Sequence, residues 1–154
     1  MLDVVRKWTT EIDLVPLNDI DPWLTSDLGG HRVIQGLWQL GFQGLVTCDD
    51  SMLWLPEVVT MIRQTRFSVV ACKDSGHDAL KASGLLLTQL QGVAKRHDPT
   101  KPQIWMLNVV ERGLVPKFAD HEAKVEERAG AKLSTFRLSQ AELHEPVLQQ
   151  RLDG

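Results

Sequence analysis

The stretch Gly41-Phe42-Gln43-Gly44-Leu45-Val46-Thr47-Cys48-Asp49-Asp50-Ser51-Met52-Leu53-Trp54-Leu55-Pro56-Glu57 decides how this chain is read. Gln43 to Thr47 reads as a short buried strand. It runs directly into two adjacent acids, and then into a helix whose first turn is marked by Pro56. Open sheets covered by helices on both faces bind ligands beyond the carboxyl ends of their strands, which is where this carboxylate pair falls. Aspartate after a strand is also an ordinary turn former and helix N-cap. Both roles therefore stand open for Asp49 and Asp50.

Outward from that stretch, strands and helices alternate. Glu57 to Thr65 continues the helix, with Val58, Met61 and Ile62 inward. Phe67-Ser68-Val69-Val70-Ala71-Cys72 is the clearest strand by length and β-branched content. It ends in Lys73-Asp74-Ser75-Gly76-His77-Asp78, and a helix follows to about Lys95, with Leu80, Leu86, Leu87, Leu90 and Val93 as its expected buried stripe. Gln103 to Val109 is a further strand, apolar enough to be internal. Upstream, Ile12 to Leu17 reads as a short strand that Pro16 confines to an edge or an end. Asp27 precedes Gly29-Gly30 and the amphipathic helix His31 to Leu40, which makes it a cap or a second carboxylate facing Asp49.

The alternation from Ile12 to Val109 predicts an α/β fold with a mostly parallel sheet of about four or five strands, right-handed crossovers and helices on both faces. Residues 1–110 are expected to form this domain and 111–154 a helical extension packed on it. In the extension, Phe118 to Ala129 reads as a charged helix stopped by Gly130, and Leu133 to Leu138 as a small strand. Ser139-Gln140-Ala141-Glu142 has the spacing of a capping box.

Composition bounds the partners. The chain of 154 residues has the size of one domain, and its hydrophobic fraction of 43% and charged fraction of 24% are those of an ordinary globular protein. A net charge of −3 gives no global pull toward nucleic acid, so such binding would need a local basic patch. No apolar run is long enough to span a bilayer and the N-terminus lacks the apolar core of a signal peptide, so a cytoplasmic protein with no membrane partner is expected. Cys48 and Cys72 read as reduced, half-buried small hydrophobes, and the five histidines form no metal-ligand pattern.

Asp27, the helix to Leu40, Gly41 and the strand ending in Thr47-Cys48-Asp49, followed by Pro56-Glu57 opening the next helix, together resemble the second half of a PIN-like domain, in particular its VapC-type branch. The resemblance covers roughly residues 12 to 109. It implies a three-layer α/β/α fold and a metal-dependent ribonuclease, of the kind that serves as the toxin of a toxin–antitoxin pair. It also implies magnesium or manganese held by Asp27, Asp49 and Asp50, with Asp27 and Asp49 as the catalytic pair. Hard divalent ions take oxygen ligands and relieve the repulsion between clustered carboxylates. Such domains normally begin with a strand ending in a further ligating aspartate. Only about eleven residues precede Ile12, too few for that strand, so on this resemblance the chain is a truncated or differently started version of the family, or the first ligand comes from elsewhere, such as Asp19 or Asp21, or the site is degenerate.

Two functional classes follow. In the first, the chain cleaves RNA, with Lys73, His77 and Lys81 beyond the next strand contacting phosphates. For these three the ordinary alternatives are solvated surface and a turn. In the second, the chain is a catalytically degenerate PIN-like module that binds a partner protein such as an antitoxin, or a second copy of itself, along the sheet edge left without its strand. Trp8, Trp23 and Trp54 are the aromatic side chains placed to anchor such an interface. Glycine-rich nucleotide-binding motifs are absent.

Overall fold

The computed structural model describes residues 12–26, 28–108 and 115–148. Trp8 and Asp27 lie outside the described residues. Three strands, β1 (Gly44–Thr47), β2 (Ser68–Cys72) and β3 (Gln103–Leu107), form one parallel sheet in the order β1-β2-β3. The register pairs Gly44 with Ser68 and Thr47 with Ala71, then Ser68 with Gln103 and Cys72 with Leu107. Helices cover both faces, so the fold is α/β in three layers.

The period of two along each strand divides the core. Leu45, Val69, Ala71 and Ile104 face one side, where they meet Val33, Ile34 and Leu37 of α2 (Gly30–Gln39) and Val58, Met61 and Ile62 of α3 (Pro56–Thr65). The short helix α1 (Leu17–Ile20) packs at the margin of this side. Val46, Val70, Cys72, Trp105 and Leu107 face the other side, against Ala82, Leu85, Leu86, Leu90 and Val93 of α4 (Ala79–Arg96). The buried stripe of α4 differs from expectation at two places: Leu80 is 85% exposed and Leu87 is exposed, while Ala82 and Leu85 are buried. Leu80 sits in the first turn beside the Asp78 cap, off the row that Ala82, Leu86, Leu90 and Val93 make at helical spacing.

The structure corrects four expectations. The sheet has three strands among the described residues rather than four or five. Residues 13–16 have no regular structure and do not join the sheet, although Leu14 is buried against the α4 side. Pro16 has no N–H to give a ladder and instead precedes α1 as its N-cap residue. Leu133–Phe136 is a 3-10 turn rather than a strand, with the Thr135 hydroxyl donating to the Lys132 carbonyl in place of a ladder bond. Finally, α3 joins β1 to β2 across one face and α4 joins β2 to β3 across the other, while the strands stand in sequence order. Two steps in one direction over opposite faces have opposite hand, so one crossover departs from the right-handed rule.

Residues 115–148 lie mainly against α2 and α3. α5 (Phe118–Ala129) buries His121 and Val125, and the His121 Nε2 lies 2.6 Å from the Leu53 carbonyl oxygen. Its ring meets that of Trp54 at 4.9 Å between centroids, and the Arg128 guanidinium covers Trp54 at 4.8 Å. Trp54 is thus half-buried in a stack with His121 and Arg128 of the same chain, and Trp105 is fully buried. The segment after α5 is short of backbone partners of its own, and glutamine amides supply them. Gln64 Nε2 donates to the Leu138 carbonyl at 2.8 Å and its Oε1 accepts from the Leu138 N–H at 3.0 Å. Gln35 Nε2 donates to the Leu143 carbonyl at 2.9 Å, and Gln39 Oε1 accepts from the Val147 N–H at 3.0 Å. α6 (Gln140–His144) begins with the expected capping box, both reciprocal bonds of Ser139 and Glu142 being present.

Candidate functional site

Parallel strands end at one rim of the sheet, so the residues that follow β1 and β2 meet there. After β1 the chain leaves toward the α3 face and after β2 toward the α4 face. Divergence of neighbouring connections is what opens a crevice at a sheet rim. The two loops touch at its base: a Cβ built on Gly76 would stand 3.7 Å from the Cys48 carbonyl oxygen.

The wall after β1 is held by side-chain bonds spaced two residues apart. Thr47 Oγ1 accepts from the Asp49 N–H at 3.0 Å, and Asp49 Oδ1 accepts from the Ser51 N–H at 3.1 Å and from the Ser51 hydroxyl. Asp49 is thereby the N-cap of the 3-10 turn Asp50–Trp54. This bonding gives the Thr47-x-Asp49 spacing a physical meaning, because threonine fixes the backbone that aims the aspartate. Capping engages Oδ1 alone, and no described group donates to Oδ2 or to the Asp50 carboxylate. Asp49 is exposed and Asp50 partly so.

The loop after β2 carries Lys73 and, at the start of α4, Lys81, each close in sequence to an aspartate, Asp74 and Asp78. Lys73 is exposed, and its backbone N–H donates to the Leu107 carbonyl at 3.0 Å, which ties the loop to the end of β3. Asp74 is left-handed at φ 53°, a turn that sends the chain toward α4. Ser75 is buried, with its hydroxyl donating to the Lys73 carbonyl at 3.0 Å, and His77 is exposed. Lys81 Nζ donates to the Asp74 carbonyl at 3.2 Å, and Asp78 Oδ1 caps α4 by accepting from the Lys81 N–H at 2.9 Å. Lys81 therefore braces the loop, a role that its sequence position does not announce. Ser51 and Ser75 were not singled out from the sequence, although a hydroxyl two residues from Asp49 or Lys73 is a signal for such local bonds.

Of the residues named from the sequence, Asp49, Asp50, Lys73 and His77 stand on these two loops and Lys81 just behind them. Asp27 lies outside the described residues. Among the described residues no group of three or more His, Cys, Asp or Glu side chains is placed to hold a metal ion. Asp49 and Asp50 are two hard oxygen donors, and magnesium is commonly held by one or two carboxylates completed by water and phosphate oxygens. Cys48 and Cys72 are both free, and burial first, then the neighbouring Cys48, pushes the Cys72 thiol up to about 12.

Compared with models of protein families, with curated proteins and with solved structures, the chain finds no match. Among the described residues no helix is long and apolar enough to cross a membrane.

Proposed function

We propose that the chain is a PIN-like domain whose sheet rim is a metal-dependent ribonuclease site. The supporting observation is that the loops after β1 and β2 touch at one sheet rim, which brings the adjacent carboxylates Asp49 and Asp50 to the same end of the sheet as the exposed Lys73 and His77. Asp49 and Asp50 would hold magnesium or manganese, with Asp27 as the third acid that the family resemblance implies. The metal, when bound, supplies Lewis-acid polarisation of a phosphoryl oxygen and an activated water. Lys73 and His77 bind and orient the phosphate backbone, and the Thr47–Asp49–Ser51 bonds hold the Asp49 carboxylate without reorganisation.

Manganese titration by calorimetry on the wild type and on Asp49→Asn tests this. Saturable binding that the substitution removes, together with manganese-dependent cleavage of single-stranded RNA that is also lost, is the expected result. Unchanged binding and cleavage in Asp49→Asn would overturn it.

One observation favours a second reading, in which the module binds another chain and does not cleave. Ser68 N–H donates to the Gln43 carbonyl at 3.1 Å, so the alternation of a parallel ladder turns the N–H and C=O of Gly44 and Val46 away from β2. Among the described residues these outward groups have no partner. A strand from an antitoxin or a second copy would satisfy them. A wild-type protein that stays monomeric at micromolar concentration, and that cleaves RNA alone, would exclude it.

A further inference from the structure

The chain has two cysteines, and the fold brings them to the same end of the sheet on the same face. Thr47 is paired with Ala71 at the end of the β1–β2 ladder; Cys72 is the next residue on β2, and Cys48 is the first residue after β1. Both side chains belong to the α4-facing core, with Val46, Val70 and Leu107 around them. Neighbouring strands run about 4.8 Å apart, inside the Cα separation of roughly 4.4–6.8 Å that disulfides span. The solvent access of the two thiols differs, since Cys72 is fully buried and Cys48 is partly exposed.

We propose that Cys48 and Cys72 are a redox modification site, joined by a reversible disulfide across the C-terminal ends of β1 and β2. With hydrogen peroxide as oxidant, the accessible Cys48 sulfur attacks the peroxide O–O bond, forming a sulfenic acid and releasing one water. The Cys72 sulfur then displaces the sulfenic oxygen, forming the S–S bond and releasing a second water. Two thiols are oxidised by two electrons and one peroxide is reduced. A dithiol reductant reverses the step by exchange. The bond staples the edge strand to the central strand immediately before Asp49, and closes a loop that holds the whole of α3. It stands on the strand register and core packing alone, independently of the nuclease reading.

The experiment uses the full chain, folded, with a small excess of hydrogen peroxide. Intact-mass and peptide analysis should show the loss of two hydrogens and one intramolecular link between the peptides that carry Cys48 and Cys72. The melting temperature should rise by roughly 5–10 °C, as expected for a loop of this length in a domain of this size, and return on treatment with dithiothreitol. Cys48→Ser and Cys72→Ala should each abolish the link. Cys72→Ala should leave Cys48 trapped as a sulfenic acid that dimedone labels, which keeps the test valid if Cys48→Ser folds poorly. Two free thiols remaining in the treated folded wild type would overturn the proposal. So would a link found only between chains, or one that forms only after denaturation.

Discussion

The two outer strands of the sheet end the same ladder in different ways. On β3, Gln103 faces β2, so Ile104 points its backbone outward, and its carbonyl accepts the Lys117 N–H at 3.0 Å. Just beyond, the Asn108 carbonyl accepts from Gln89 Nε2 at 2.8 Å, and Trp105 and Leu107 are fully buried. On β1 the outward groups of Gly44 and Val46 have no described partner, and no residue of the strand is fully buried. A cavity of about 450 Å³ runs along this edge, lined by Leu14, Pro16, Leu37, Phe42, Val46 and Val93 among others. Among the described residues one edge is finished and the other is not. Yet β1 is the strand that leads to Asp49, so the proposed rim site rests on the less supported edge.

Proline substitutions give the largest test of that difference. Val70→Pro in the central strand removes a ladder donor in a site enclosed on both edges, and should cost about 3 kcal/mol or more, enough to unfold much of the population. Val46→Pro removes only an outward donor, and should cost less than about 1 kcal/mol by urea denaturation. Similar losses at the two positions would mean that β1 is paired on its outer edge. Truncations give a smaller contrast. Trp105→Ala should cost about 3–5 kcal/mol and Val46→Ala about 1 kcal/mol, because only the first empties a filled core position. Gly44 is the exception on β1, since a Cβ there would meet the Ser68 carbonyl oxygen at 2.7 Å.

The same contrast shows what the sequence made legible. β2 and β3 were readable because their apolar runs are long and buried on both faces. The capping box at Ser139 was readable because its two bonds are local. The hand of the crossovers was not, since Leu45 and Val46 alternate in the same way whichever side α3 takes. The fate of residues 12–17 was also hidden. Their apolar content suits a strand, but Leu14 is satisfied by burial against α4 without joining a ladder. At the candidate site, the pair Asp49-Asp50 stood out as charges after a strand. That Asp49 already serves as a cap depends on Ser51, and that Lys81 braces the loop depends on a left-handed turn at Asp74. The meeting of Cys48 with Cys72 is a matter of strand register, which no local pattern encodes.

Capping by Asp49 and its proposed metal binding can be separated on the β1 edge itself. Asparagine caps as well as aspartate, so Asp49→Asn should change stability by no more than a few tenths of a kcal/mol, while Asp49→Ala loses about 1 kcal/mol. Both should lose manganese binding, because neither offers a carboxylate. Calorimetric titration beside denaturation midpoints would read the two effects independently. Metal affinity that follows stability rather than charge, with Asp49→Asn behaving as the wild type, would leave Asp49 as a cap alone.

The smallest expected effect concerns α2, the helix that leads into β1. His31 in its first turn is pushed below its ordinary value of 6.5, mainly by burial, with Glu57 opposing and Arg32 adding to the shift. In the folded chain the imidazole therefore resists protonation, and between its lowered pKa and 6.5 the unfolded chain binds more protons. Stability contributed by neutral His31 is present above 6.5 and is lost as pH falls below it toward the folded value. Carboxylates also titrate at the lower end of that window, so the informative quantity is the difference between wild type and His31→Gln. The wild type should lose more stability than the variant between pH 7 and pH 5. Equal slopes would mean that α2 opens locally and hydrates the ring, which would carry the openness of the β1 edge into the helix packed against it.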